Sequence, residues 1–387
     1  MTRVAFPLNF QDFSWMGGIN YFRNLFQAIH LAPDSQVQPI IVAGSSADKK
    51  ILESLDADEI SIHKWGNVSG WRWKVRRLQT LGFDRDFVFE KELVSQDISL
   101  FSHMGYLGKK AAVPSLPWIP DFQERYLPEF FSSSELAARE KENKRVAHHS
   151  TAVLLSSEYA REGLAEISQR AAKEAYVLPF VASVPRLVDI PGRNELEEKY
   201  GELGHYFFLP NQFWAHKNHE VVLRALGNLV RRNEPVTVIA TGNPNDHRQP
   251  AHGRYLKKII EDEKIESVFR ILGMIPYKDL MGLLAHSIAL VNPSLFEGWS
   301  TTVEEAKSLG KKALISDIPV HREQNPSRVK YFDPHKPEEL AEMFLDLSGR
   351  YNEETELQYM QQAELVFPER RNEFAMHYEK IVASVIN

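Results

Sequence analysis

Short apolar runs and helix-period apolar patterns take turns along almost the whole chain, and this alternation constrains the fold more than any other feature. Val4-Ala5-Phe6-Pro7-Leu8 leads into a loop ending at Gly17-Gly18; Tyr21, Leu25, Phe26 and Ile29 then recur at helical spacing, and a second run, 38–43, follows. Strand, glycine turn, helix and strand in that order is the repeating unit of a parallel sheet. After residue 203 the same order is clearer. Apolar runs at 206–209, 236–240, 268–272, 288–291, 313–316 and 329–332 alternate with helical patterns, of which Val222, Leu223, Leu226, Leu229 and Val230 make the first. Further helices are predicted near 253–262, 277–285, 301–309 and 337–347. Six strands with intervening helices make a doubly wound α/β domain by themselves. Pro179, Pro185, Pro191 and Gly192 interrupt the pattern between the two regions. The chain therefore divides into a first domain over 1–182, a linker over 183–202, a second domain over 203–367 and a terminal helix over 368–387.

Composition narrows the function classes. Of the 387 residues 43% are apolar and 25% charged, the usage of an ordinary globular protein. Lys and Arg number 46 against 52 Asp and Glu, a net charge of −6, which argues against a nucleic-acid partner. The absence of cysteine removes thiolate nucleophiles, disulfides and zinc fingers. The first eighteen residues carry no apolar leader and no later stretch is uncharged and apolar for about 18 residues, so a cytoplasmic location is expected. Asp56-Ala57-Asp58 and Asp84-Arg85-Asp86 fit an Asp-x-Asp metal pattern that common residues produce by chance. Nothing has the spacing of a zinc site, so neither metal nor cofactor is predicted.

The densest chemistry lies at 292–306, where a strand ends and a helix begins. Ligands of open α/β sheets bind at the carboxyl ends of strands, and a helix start at 300–302 offers amides and partial positive charge to an anion. Gly298 lets the backbone come close to such a ligand. Glu297 precedes the helix and Glu305 lies about one turn inside it, so the two carboxylates can grip hydroxyls on either side of a phosphate. A phosphate between two hydroxyl-binding carboxylates describes a nucleotide-sugar. Glu304 reads as a surface or capping charge.

Glu297 and Glu305, set in SLFEGWSTTVEEAKSLG, resemble the E-x7-E motif of the retaining glycosyltransferases of family 4. The likeness extends to LPNQFWAHKNHEVVLRAL, ILGMIPYKDLMGLLAHS and LISDIPVHREQ and is most specific over 206–335. It implies the GT-B fold: two Rossmann-like doubly wound domains facing across a cleft, with the acceptor on the first, the nucleotide-sugar on the second and the C-terminal helix crossing back. It implies that Glu297 contacts donor-sugar hydroxyls, Glu305 the ribose and Lys217 the diphosphate, with help from the backbone of Ser300 and Thr301. By the same resemblance Gly17 and Gly18 form a wall near the diphosphate, and His103 faces the transferred sugar. Ile275 lies beside the base and Asp121 lines the acceptor side. Gln212 stands where the family has an arginine and Ser300 where it commonly has glycine, so one cation is missing from the diphosphate site.

The implied activity is transfer of a hexosyl group from a GDP- or UDP-sugar to a hydroxyl of a glycan or lipid-linked acceptor, in cell-surface polysaccharide synthesis, without a metal. Two alternatives stay open: a nucleotide-sugar epimerase on the same fold, and a non-catalytic nucleotide-sugar binder. Trp65, Trp71, Arg72, Trp73, Lys74, Arg76 and Arg77 crowd aromatic rings and cations into residues 65–77. Such a cluster fits peripheral contact with an anionic membrane, an acidic acceptor, or an amphipathic cover for the first domain.

Overall fold

The structure is a computed structural model and describes residues 1–12, 16–67, 69–244, 246 and 248–387. It divides into two compact units. The first comprises Met1–Arg125, Ser133–Val181 and Glu369–Asn387; the second comprises Tyr126–Ser132 and Ala182–Pro368.

In the first unit β1 (Thr2–Phe6), β2 (Val37–Ala43), β3 (Glu59–Ile62), β4 (Leu100–His103), β5 (Ser115–Ile119), β6 (Leu154–Leu155) and β7 (Tyr176–Val177) form one parallel sheet. Its order is β3-β2-β1-β4-β5-β6-β7. Helix Met16–Leu31 buries Ile19, Phe22, Leu25, Phe26 and Ile29, the stripe its period predicts. Its first turn holds Gly17 and Gly18, so both glycines belong to the helix start and not to the loop before it.

In the second unit β8 (Tyr206–Leu209), β9 (Thr237–Ala240), β10 (Phe269–Ile271), β11 (Leu290–Asn292), β12 (Ala313–Ser316) and β13 (Val329–Phe332) stand parallel in the order β10-β9-β8-β11-β12-β13. Both faces of this sheet are covered, as a parallel sheet requires. Tyr206, Phe208, Ile239, Leu290 and Ile315 pack on one side. Phe207, Leu209, Val238, Ala240, Val291 and Leu314 pack on the other, where helix His219–Arg231 lays down Val222, Leu223, Leu226 and Leu229. The period-2 alternation along β8 thus sorts its four side chains between two cores. Strand order reverses between β8 and β11, the topological switch point at which a doubly wound sheet offers its ligand site.

Two boundaries differ from the sequence reading. Within the expected linker, Arg193–Tyr200 forms a helix whose Leu196 is fully buried against Tyr206 and Met281, while Asp279 accepts from Lys199 at 3.0 Å and Tyr200 at 2.7 Å. Two apolar residues among eight, Leu196 and Tyr200, are too few for a periodic signal, so packing reveals this helix as part of the second unit. The terminal helix runs over Glu353–Ile386 and contains Pro368 instead of starting beside it. An interior proline removes one helical hydrogen bond and crowds the carbonyl four residues before it, so the turns on either side must hold the helix together. Among the described residues no helix is long and apolar enough to cross a membrane.

Candidate functional site

The crevice between β8 and β11 gathers its groups from segments far apart in sequence. After β8 the chain runs out to one turn of 3-10 helix, Ala215–Lys217, and reverses at Asn218, which has a positive φ of 53°. Asparagine tolerates that conformation better than most residues. Its Nδ2 donates to the Pro293 carbonyl at 3.1 Å and to the Pro334 carbonyl at 2.9 Å, and the Leu295 amide donates to the His216 carbonyl at 2.8 Å. The loop after β8 is therefore fastened to the loop after β11. Across that seam Lys217 Nζ donates to Glu297 Oε1 at 2.7 Å, and the Ser294 hydroxyl donates to the same oxygen at 2.7 Å. Glu297 is only 8% exposed. Burial acts to raise its pKa, but Lys217 and the Ser294 hydroxyl outweigh it and hold the group down at about 2. Glu297 and Lys217 form a buried ion pair at the topological switch point.

Asn292, at the end of β11 and fully buried, organises the turn beyond the strand. Its Nδ2 donates to Ser300 Oγ at 2.8 Å and Thr302 Oγ1 at 3.0 Å, and its Oδ1 accepts from Ser294 Oγ at 2.7 Å. The helix Thr301–Leu309 then starts, with Ser300 as its N-cap. The Ser300 amide does not await a phosphate, contrary to expectation: it donates to Gln324 Oε1 at 3.2 Å, and Gln324 Nε2 returns a bond to the Ser300 carbonyl at 3.0 Å. The next amides of the first turn, from Thr301 onward, have no intrahelical acceptor and are the ones a ligand can use.

Glu305 lies in that same helix, 5% exposed, and burial pushes its pKa up to about 8, eased only by the Tyr277 hydroxyl. Two glutamates eight positions apart thus sit in opposite charge states near neutral pH, one ionised by a lysine and one protonated by burial. Glu304 is not a surface charge either. It is 1% exposed and accepts from Gln324 Nε2 at 3.2 Å.

The other expected residues of this unit fall around the crevice. Gln212 is spent on structure, its Oε1 accepting from the Asn243 amide at 2.8 Å and its Nε2 lying 3.7 Å from Met274 Sδ. Nearby Gly242 has φ 130°, and a Cβ there would meet the Asn211 carbonyl oxygen at 2.5 Å, so the loops after β8 and β9 can close only over glycine. Ile275 is partly buried against the core next to Tyr277. One group escaped the sequence reading. His321 is fully buried, with Nδ1 2.9 Å from the Ser316 carbonyl and Nε2 without a hydrogen-bond partner. Burial takes its pKa down to about 4, and Glu297 is the nearest group opposing that. The signal was the segment LISDIPVHREQ, which contains both His321 and Gln324.

His103, Asp121, Gly17 and Gly18 lie in the first unit. His103 does not present its ring to a ligand. It is 1% exposed, its Nε2 is 2.8 Å from the Tyr21 hydroxyl and its Nδ1 2.8 Å from Ser102 Oγ, which in turn accepts from Tyr378 at 2.9 Å. Phe6, Phe22 and Trp118 surround it, and burial takes its pKa down to about 3. Expected to face the transferred sugar, His103 instead has a neutral imidazole with both nitrogens engaged inside the core of the first unit. What is unusual is its backbone, with φ 73° at the carboxyl end of β4. Such strain in a residue other than glycine is held only by surrounding packing. Asp121 is half-buried and caps the short helix Gln123–Tyr126 by accepting from the Gln123 amide at 3.0 Å. Gly17 is exposed, and a Cβ there would meet nothing within 4 Å.

Residues 197–363 match the family model of the glycosyl transferases group 1. A curated relative from Xenopus tropicalis, glycosyltransferase 1 domain-containing protein 1, is 36% identical over 95 residues, which is 24% of this chain and about a quarter (26%) of the relative's length. Among solved structures, Anabaena HepE with UDP and glucose has a TM-score of 0.68 at 13% identity, covering 99% of this chain and 100% of that one. A glycosyltransferase from Rickettsia africae gives 0.68 at 14%, covering 100% and 99%. Staphylococcus aureus TarM, crystallised with fondaparinux, α-GlcNAc-glycerol and UDP, gives 0.64 at 10% and full coverage of both. At such identities these structures speak for the fold, which is GT-B.

Proposed function

We propose that this chain, which has a GT-B fold and whose residues 197–363 match the glycosyl transferases group 1 model, is a retaining glycosyltransferase. It would move a hexosyl group from a nucleoside diphosphate sugar to a hydroxyl of a glycan or lipid-linked acceptor, at the cytoplasmic side and without a metal. The reading rests on the Lys217–Glu297 pair at 2.7 Å, set before a helix start whose second acid, Glu305, is buried one turn further on.

Each group has a task in this scheme. The donor diphosphate lies against the Thr301 amide and the positive end of its helix. Lys217 shifts between two anions, Glu297 before the donor arrives and the β-phosphate as the glycosidic bond breaks, so its charge is already desolvated where negative charge develops. Glu297 Oε1 takes both internal donors, which leaves Oε2 for a sugar hydroxyl. Glu305 accepts from ribose hydroxyls. Gln212 holds the loops that frame the base instead of adding a cation. A polysaccharide pathway and a UDP- or GDP-linked donor are part of the same proposal; the structural neighbours crystallised with UDP, HepE and TarM, favour uridine.

The test is a panel of nucleoside diphosphate sugars followed by thermal shift, with transfer and hydrolysis read by release of the nucleotide. One donor should stabilise the protein in proportion to its occupancy. Lys217→Ala should retain part of that shift and lose turnover by roughly a hundredfold or more. Parental turnover in Lys217→Ala would overturn the assignment, and donor binding with neither transfer nor hydrolysis would make the chain a binder.

A further inference from the structure

Two consecutive helices of the first unit, Gly70–Phe83 and Phe87–Ser95, each leave large apolar side chains in solvent. On the first, Trp71 is 61% exposed, Leu78 70% and Leu81 38%, with Lys74 between them, a spacing of three and four residues that lines one helical face. On the second, Phe87 is 47% and Val94 51% exposed, with Lys91 between them at the same spacing. At the end of the first helix Phe83, 63% exposed, packs edge-to-face on Phe87 at 6.1 Å. Exposed apolar bulk gathered on two neighbouring helices marks contact with something else.

Charge identifies what it meets. Helix Gly70–Phe83 carries Arg72, Lys74, Arg76 and Arg77 and no acid, in a chain of net charge −6. Arg76 and Arg77 turn away from the patch. Arg76 donates to Asp86 at 2.7 Å, Arg77 pairs with Glu142, and both line a cavity of about 430 Å³ with Trp73, Thr80 and Tyr106. The acids of the second helix and its approach are likewise committed: Asp84 to His149, Asp86 to Arg76, Glu90 to Arg85, and Glu92 near His63. What faces outward is apolar bulk with Lys74 and Lys91 inside it and Arg72 beside it, stacked on Trp71 at 4.6 Å. A second copy related by a two-fold axis would bring lysines against lysines in a water-poor contact, which disfavours self-association. Aromatic and aliphatic bulk interspersed with Lys74 and Lys91 matches an anionic lipid interface, where rings sit at headgroup level and cations meet phosphates.

We propose that this two-helix face seats the first unit on an anionic lipid bilayer, with Trp71, Leu78, Leu81, Phe83 and Phe87 in the headgroup layer and Lys74 and Lys91 on lipid phosphates. The basic run 65–77 is thus only partly the contact: Arg76 and Arg77 belong to the interior, and the apolar stripe extends beyond it to Val94. Lipid contact through this face is independent of sugar transfer at the crevice.

The experiment is co-sedimentation of the full chain with vesicles of phosphatidylcholine alone and with about 30% phosphatidylglycerol, enough to give the surface a negative potential. The parent should bind the anionic vesicles, and Lys74→Glu/Lys91→Glu should weaken binding roughly fivefold per lysine. Leu78→Glu/Leu81→Glu should weaken it about tenfold or more. Exposed positions keep these variants folded, which circular dichroism and an unchanged melting temperature check. The charge-reversal Arg76→Glu is uninformative about binding because it breaks a buried pair, so Arg72→Glu serves as the third arm. Parent protein that ignores both vesicle types overturns the proposal, as does a stripe variant that binds like the parent. A concentration-dependent dimer abolished by Leu78→Glu/Leu81→Glu would assign the face to a second copy instead.

Discussion

Replacing Glu305 by glutamine should make the ligand-free protein more stable while weakening its hold on a donor. The carboxyl has a pKa of about 8 in the folded protein against 4.5 for an unburied glutamate, because it is desolvated with only Tyr277 to relieve it. For an acid whose folded pKa is raised, the cost is absent below 4.5, grows as pH rises, and is complete above about 8. Each pH unit across that window costs about 1.4 kcal/mol, so at pH 7 burial of this one proton-hungry site costs about 3 kcal/mol. Glutamine keeps the shape and can still accept from Tyr277, but it has no charge to desolvate. Thermal unfolding of parent and Glu305→Gln between pH 5 and 8.5 reads the effect. The variant should melt within a degree or two of the parent at pH 5 and several degrees above it at pH 7, at about 2–4 °C per kcal/mol for a domain of this size. Donor affinity should behave in the opposite sense. If ribose hydroxyls donate to the ionised carboxylate, parental affinity climbs up to about tenfold per pH unit below pH 8 and then levels, with a proton released on binding. Glu305→Gln should bind weakly with no such slope. A variant that melts at or below the parent at pH 8 would refute the claim that this carboxyl is buried without adequate partners.

Other consequences are independent of that one. Glu297, held down at about 2, contributes stability that is complete above about 4.5, falls as pH drops below that and is gone by about pH 2; acid unfolding of Glu297→Gln should therefore lie nearer neutral pH than that of the parent. Asn292→Ala removes the bonds to Ser300, Thr302 and Ser294 and should cost about 1–3 kcal/mol by chemical denaturation while also loosening donor binding. His103→Phe should leave the pH profile of transfer unchanged between pH 5 and 8, since the imidazole is already neutral there; loss of an ionisation in that range would restore it to the chemistry.

Much of the fold was legible because its information is local. The six runs after residue 203 correspond to β8–β13 within one or two residues, and the helices between them start and stop where their apolar period does. The seven-residue gap between Glu297 and Glu305 was legible for the same reason: strand end, turn and helix start are adjacent in sequence. Illegible were the partners that arrive from elsewhere. Helix Arg193–Tyr200 has no stripe to betray it, and Gln324, which closes on the Ser300 amide from 24 positions away, announces nothing locally. The cation cluster at 65–77 could not be divided by inspection into residues that face a cavity and residues that face solvent.

By itself, then, the sequence determined the elements, their parallel order and the place where carboxylates stand at a helix tip, because side-chain periodicity and crossover geometry act over a few residues at a time. The tertiary structure decided what those groups are in chemical terms. Glu297 is ionised because Lys217 reaches it across 80 positions, and Glu305 is protonated because the surrounding core excludes water from it. His103 is neutral because five aromatic rings bury it, with a hydroxyl at each ring nitrogen. Desolvation and charge pairing depend on the whole neighbourhood of an atom in space, and no spacing along the chain encodes that.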